Sequence, residues 1–384
     1  MQPLALYIHW PFCLAKCPYC DFNSHVRERT DVAAWKDALF ADLAHEAAQT
    51  GPRTLTSIFF GGGTPSLMPP ALVAALIEKA GEFWTFSPDI EITLEANPSS
   101  VEAANFAALA SAGINRVSLG LQALDDASLR FLGRLHDAAE GLAALEVAQR
   151  HFRRVSFDLI YARPDHTPDL WKRELEQALA LGTGHLSLYQ LTIEPGTRFA
   201  TLVREGKFLP LDDDNAAELF AITREITTAA GLPAYEISNH ARPGEESRHN
   251  LTYWRYLDYV GIGPGAHGRR GNMATVRHRK PENFLKAVSE QGHGLSEQRP
   301  LEMREQASEA VMMGLRLAEG IAPAALAARF GLAEAELIVP AKRRFYREMG
   351  YLNDTETHLN VTEPGMAVLD GLLAELVPAD LVVS

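Results

Sequence analysis

Cysteine occurs at three positions of the 384-residue chain, Cys13, Cys17 and Cys20, and nowhere else. The spacing Cys-x3-Cys-x2-Cys puts three thiolates in one short loop, where they can hold a single compact metal centre. An odd, clustered set with no distal partner argues against a disulfide framework and for a reducing, cytoplasmic setting. Two occupants compete. Structural zinc needs four closed ligands, so His9 or His25 would have to complete the set, and no second Cys or His pair stands at the usual distance. A cubane [4Fe–4S] cluster on three thiolates leaves one iron without a protein ligand, open to a small molecule.

The elements that must position this loop follow in order. Leu4 to His9 is a β-type run that delivers the chain to the cysteines. Thr30-Asp31 caps a helix with Trp35, Leu39, Leu43 and Ala47 on one stripe. Leu55 to Phe60 is a second strand and runs into Gly61-Gly62-Gly63-Thr64-Pro65. Pro69-Pro70 opens the next helix. Strands follow at Ile90–Leu94, Ile114–Leu121, Val155–Tyr161 and His185–Leu191, separated by helical patterns; Gly113 closes one helix, and Asp137 with Glu140 caps another. Six strands alternating with six helices predict a parallel sheet, closed or partly closed into a barrel, with polar and glycine-rich residues near the C-terminal strand ends, where such folds place their sites.

Beyond residue 210 the pattern changes. Asp212-Asp-Asp-Asn215 leads into a helix, Pro233 to Asn239 is expected to be a strand, and His249-Asn-Leu-Thr-Tyr-Trp254 and Gly261-Ile-Gly-Pro-Gly-Ala-His-Gly268 follow. After about Arg304 the chain reads as helices, a hairpin over Tyr351–Val361 and a last helix, Glu363–Leu376, the outline of a winged-helix-like module. The expected division is residues 1–235 as the core, 236–300 as an extension and connecting segment, and 301–384 as a mostly helical C-terminal domain.

Composition excludes several function classes. The formal charge of −13 disfavours nucleic acid as a partner, even for a winged-helix outline, because counterion release needs clustered cations. No apolar run reaches membrane-spanning length, so an integral membrane protein is not expected. Met1 to Trp10 lacks the cationic start of a signal peptide.

The cysteine loop after a first strand, with Tyr19 before the last Cys, resembles the radical S-adenosylmethionine (SAM) superfamily. Tyr7-Ile-His-Trp-Pro-Phe-Cys13, Gly61-Gly-Gly-Thr-Pro65, Glu95-Ala-Asn-Pro98, Gly120-Leu-Gln122 and Asp158-Leu-Ile-Tyr161 are similar to the oxygen-independent coproporphyrinogen III oxidase family. The resemblance implies a partial (β/α)6 TIM-like barrel. It also implies a [4Fe–4S] cluster on Cys13, Cys17 and Cys20, and SAM bound by Tyr7, Tyr19, Gly62, Gly63, Thr64, Glu95, Gln122, Arg134 and Asp158. In that family the open iron chelates SAM, and an electron donor reduces the cluster. Physical roles are available: Gly62 and Gly63 for close backbone approach, Arg134 for a carboxylate, Glu95 and Asp158 for an ammonium or ribose hydroxyls.

Two departures bear on function. The porphyrinogen-decarboxylating branch carries a fourth cysteine where this chain has Phe22, and an N-terminal extension that is not expected here. The other branch, the HemW-type haem chaperones, has the short start, the same loop and the His249-Asn250-x-x-Tyr253-Trp254 segment. The resemblance therefore implies a protein that binds haem and passes it to an acceptor protein. The alternative is an oxygen-independent coproporphyrinogen III oxidase, so whether the chain is an enzyme stays open. Haem candidates are His249, Tyr253 and Trp254; the competing reading of His249 is a histidine packed on Trp254. His267 is a weaker candidate, within glycines expected to form a tight turn near the cofactor.

Overall fold

The computed structural model describes residues 1–27 and 30–378. One eleven-stranded sheet organises it. Its strands are β1 (Pro3–Trp10), β2 (Thr54–Gly62), β3 (Thr85–Ala96), β4 (Arg116–Gln122), β5 (Arg154–Tyr161), β6 (His185–Gln190), β7 (Asn239–Ala241), β8 (Tyr259–Ile262), β9 (His267–Arg270), β10 (Met273–Arg277) and β11 (Leu295–Pro300). Strands β1 to β6 lie side by side in chain order, all parallel, which is the partial barrel expected from the alternation.

The 236–300 segment contributes strands to the sheet. Strand β8 adds a seventh parallel strand on the free side of β1, with Tyr7 opposite Gly261, and β9 to β11 extend that edge antiparallel. At the other edge the predicted Pro233–Asn239 strand shrinks to β7, antiparallel to β6. Pro233 has no N–H for a ladder, and Glu236 turns inward instead, accepting from Ser238 N at 3.1 Å and from Asn239 Nδ2.

The two faces of the parallel sheet differ, and the difference follows from strand parity. Leu4, Leu6, Ile8, Leu55, Ile58, Phe60, Leu94, Val117, Leu119 and Phe157 join one buried apolar core. The opposite parity carries the polar residues: Tyr7 is level with the ring of Phe59, Glu95 with Ser118, and Asp158 with Ser187. A barrel whose interior is polar and whose exterior is apolar keeps its chemistry inside and its helices outside.

Two buried ionic clusters fix the segment after β7 onto the barrel. In helix α1 (Val32–Thr50) the carboxylates of Asp42 and Glu46 receive Arg277 at 3.1 and 2.7 Å, and Glu46 receives Arg270 at 2.9 Å. Asp42 also accepts the backbone N–H groups of Gly263 and Gly294. The Asp42 carboxylate accepts four hydrogen bonds and that of Glu46 two, and removing one partner strands a buried charge at a cost of about 3–5 kcal/mol. On the inner face, Glu91 binds Arg154 at 2.6 Å and accepts from Ser247 Oγ, Arg248 N and His249 N. Ser247 caps helix α2 (Arg248–Trp254) by accepting from Asn250 N, so an acidic group and a hydroxyl satisfy the helix's first N–H groups.

The C-terminal module has its own core: Ala307, Val311, Leu315, Phe330, Leu337, Leu352, Leu359, Leu372 and Leu376, joined by Tyr256 from the barrel side. The predicted hairpin forms from Leu352–Asp354 and Leu359–Val361. The single last helix is instead two, Glu363–Met366 and Leu369–Leu376. No helix among the described residues is long and apolar enough to cross a membrane.

Candidate functional site

The cysteine loop leaves β1 at its C-terminal end and is clamped to the loop after β2. Gly63 N donates to Trp10 O at 2.7 Å, Thr64 N to Phe12 O at 2.8 Å, and His25 N to Pro11 O at 2.7 Å. Glycine is required here by contact. A Cβ on Gly62, which sits at φ +115°, would lie 2.7 Å from the His9 ring, and one on Gly63 would lie 2.7 Å from Phe12 O. These glycines thus admit the cysteine loop itself, where the sequence suggested only close approach to a ligand. Beyond the clamp, Cys20 N donates to Cys17 O. Gly133, at φ +68°, lets Pro18 sit over it.

All three thiols face a cavity with about 740 Å³ of open space. Its wall includes Tyr19, Phe22, Gly62, Gly63, Thr64, Glu95, Asn97, Ser118, Gln122, Arg134 and Asp158. Among the described residues no three His, Cys, Asp or Glu side chains could hold a metal ion between them. His9 is not a spare ligand either: its Nε2 is 2.8 Å from Asn23 O, its Nδ1 is 3.0 Å from Tyr7 Oη, and burial lowers its pKa to about 4. Three thiols around one space, with His9 engaged at both ring nitrogens, suit a cluster held by three thiolates.

The polar wall is built to receive a charged, hydroxylated ligand. Arg134 Nη2 donates to Asn97 Oδ1 at 2.6 Å and to Gly120 O at 3.0 Å, and Nη1 reaches Cys17 Sγ at 3.4 Å. Its Nε is buried with no partner, a donor left for an anion. Glu95 accepts from Gly62 N at 3.3 Å; burial, reinforced by Asp158, pushes its pKa up to about 8. Burial raises Asp158 to about 6 against the opposing hydrogen bonds from Ser187 and Ser118. Two carboxyls facing one space, both reluctant to ionise, favour a cationic ligand that relieves them. Gln122 has φ +70° at a register shift in β4, and the bulge re-aims its side chain.

A second, adjoining trough has about 1,100 Å³ of open space and is lined by Tyr7, His9, Phe22, Asn23, Gly62, Glu95, Tyr253, Tyr259, Gly265, His267 and Arg279. It shares Phe22, Gly62 and Glu95 with the first. The glycines of 261–268 make the β8 end, a turn and the β9 start. Gly263, at φ +91°, lies against His9 O, and Gly265, at φ +78°, against the Asn23 side chain.

The structure separates the three haem candidates. Tyr253 lines the trough. His249 does not: it is 1% exposed, inside the barrel below Tyr7. Its Nδ1 is 2.9 Å from Ser57 Oγ, its Nε2 is 2.6 Å from Tyr253 Oη, and its ring stacks on Phe59 at 5.0 Å. Burial drops its pKa to about 3. Both ring nitrogens are engaged, and neither faces a cavity. Trp254 is half-buried and lines neither cavity. The expected packing of His249 on Trp254 is replaced by Phe59 and Tyr253, because Ser247 and Glu91 anchor the helix with His249 turned into the barrel.

Of the residues the resemblance assigned to SAM, Tyr7 alone stands in the trough and outside the cysteine cavity. Asn97, Ser118 and Ser24 line the cavity without having been singled out. For Ser118 the signal was there: it shares strand parity with Gly120 and stands opposite Glu95.

Comparison with known proteins agrees with this site. The radical SAM superfamily model matches residues 7–178, and the HemN C-terminal domain matches residues 301–368. The mitochondrial "Radical S-adenosyl methionine domain-containing protein 1" of Bos taurus is 38% identical over 98% of this chain and 87% of its own. "Heme chaperone HemW" of Escherichia coli is 38% identical over 97% of this chain and 98% of its own. A solved structure of E. coli coproporphyrinogen III oxidase superposes with a TM-score of 0.82 at 23% identity, over 97% of this chain and 89% of that one. The chain belongs to the radical SAM superfamily, whose members carry a [4Fe–4S] cluster and SAM. Within it, the full-length relatives place the chain in the HemW-type branch.

Proposed function

We propose that this protein binds haem and delivers it to an acceptor protein. Cys13, Cys17 and Cys20 hold a [4Fe–4S] cluster, and Tyr7, Tyr19, Gly62, Gly63, Thr64, Glu95, Gln122, Arg134 and Asp158 surround SAM. The observation that carries the reading is the pair of adjoining spaces: one thiol-lined and polar, one aromatic, with Phe22 on the wall between them. In the decarboxylating branch a cysteine holds that position. The curated chaperone relatives, 32–38% identical, support the same reading.

The cluster, when bound, supplies a low-potential electron and an open iron position. The chain's own residues bind and orient. The three thiolates fix the cluster, and the Arg134 guanidinium beside Cys17 stabilises thiolate charge and offers Nε to a carboxylate. Glu95 and Asp158 accept from an ammonium or ribose hydroxyls, and the Gln122 amide both donates and accepts. Tyr19 closes the space over the loop.

Anaerobically purified protein should contain iron and labile sulfide, show a stoichiometric Soret change on haem titration, and pass that haem to an apo haem protein. An absent or unsaturable Soret change overturns the reading. Incubation with reductant, SAM and coproporphyrinogen III should leave the tetrapyrrole unchanged; decarboxylation there would establish the oxidase activity instead.

A further inference from the structure

We propose that the haem seat is the trough beside the cysteine cavity and that the imidazole of His267, not that of His249, ligates the iron. This rests on the haem-binding reading above and adds the place and the ligand.

An iron ligand needs an accessible ring nitrogen with no competing partner, held on a rigid element. His267 meets each condition. It is exposed and lines the trough, and among the described residues its ring makes no hydrogen bond. It opens β9, opposite Val276 of β10, and Gly261 has no side chain because a Cβ there would strike the His267 carbonyl at 2.1 Å. His9, the other histidine in the trough, has Nε2 committed to Asn23 O and Nδ1 to Tyr7. His249 is sealed behind Tyr253.

The walls suit a porphyrin. Tyr253 and Tyr259 meet edge to face with centroids 4.5 Å apart, and the exposed Phe22 ring closes the side toward the cluster. These supply flat apolar contact for a macrocycle. Arg279, at the rim, is exposed and has no acid partner among the described residues; a guanidinium there pairs with a haem propionate. The cavity itself, about 520 Å³, is of cofactor size, typically roughly 300–1,000 Å³. Ligation adds the His267 lone pair to iron, displaces a water and changes no oxidation state.

The test titrates the full chain, anaerobically reconstituted, with ferric and ferrous haem. His267→Ala should weaken binding by at least about tenfold and shift the Soret band and iron EPR signals. Added imidazole should restore both. Arg279→Ala should weaken haem binding a few-fold but leave haem dimethyl ester unaffected. Unchanged iron and sulfide content shows that the variants fold. If wild type binds haem and His267→Ala binds it with the same affinity and spectra, this assignment is wrong while the haem-binding reading stands. If wild type binds no haem, both fall.

Discussion

The cysteine cavity and the aromatic trough share a wall but are assembled in opposite ways. The cavity takes its residues from the C-terminal ends of β1 to β5 and the loops that follow them. Each residue sits where chain order and parity place it, and each is tied to a neighbour: Arg134 to Asn97 and Cys17, Glu95 to Gly62, Asp158 to Ser118. The trough joins the start of the chain to residues 253–279, and among the described residues the His267 ring makes no hydrogen bond and Arg279 has no acid partner. A site held tight suits one fixed cofactor. A site with an open ligand and an open cation suits a cargo that must come and go.

That contrast can be broken by measurement. The largest effect is expected from Cys17→Ser, which should abolish the cluster's visible absorption and its iron and sulfide content while haem titration still gives a Soret change; loss of both would mean that the two spaces are one site. Next, Gly62→Ala forces a Cβ against the His9 ring and Trp10 O at φ +115°. It should cost about 1–3 kcal/mol in urea unfolding and impair cluster and haem binding together, because Gly62 lies on the common wall. His249→Ala strands Ser57 and Tyr253, so it should also cost about 1–3 kcal/mol in the same assay yet leave the haem EPR spectrum unchanged; an altered spectrum would return the ligand role to His249.

A pH prediction tests the polar side. Burial raises Glu95 from 4.5 to about 8, so between those values the folded state holds a proton that the unfolded state has lost. Stability from this group is complete below about pH 4.5 and declines as pH rises toward 8. Glu95→Gln should flatten that decline in pH-dependent denaturation; an unchanged slope would show that the carboxyl ionises freely. The smallest effect is expected from Phe22→Ala. Its ring is 62% exposed, so stability should move by no more than about 0.5 kcal/mol while haem affinity falls a few-fold; no change in affinity would remove Phe22 from the trough's wall.

Much of the barrel was legible because its signals are local. Alternating strands and helices, caps such as Asp31 and Asp137, and the glycine run after β2 each act within a few residues. The reading of Pro233–Asn239 as a strand failed because a buried glutamate and a proline outweigh an apolar run. How the 236–300 extension attaches was not legible, because β8 pairs with β1, more than 200 positions earlier, and no local pattern announces such a partner.

The sequence by itself determined the thiol set and the parallel run of the first six strands, since spacing and alternation act locally; the carboxylates and the arginine that face the thiols came from the family resemblance, and Arg134 stands in a loop where strand parity does not reach. Only the tertiary structure decided between the histidines. His249 and His267 are indistinguishable as residue types in polar, aromatic or glycine-rich surroundings. Glu91 and Ser57, far away in sequence, draw His249 into the barrel and occupy its helix N-terminus and ring, while the β8–β9 turn leaves His267 at an open surface. Burial and hydrogen-bond competition, which depend on long-range pairing, separate the two.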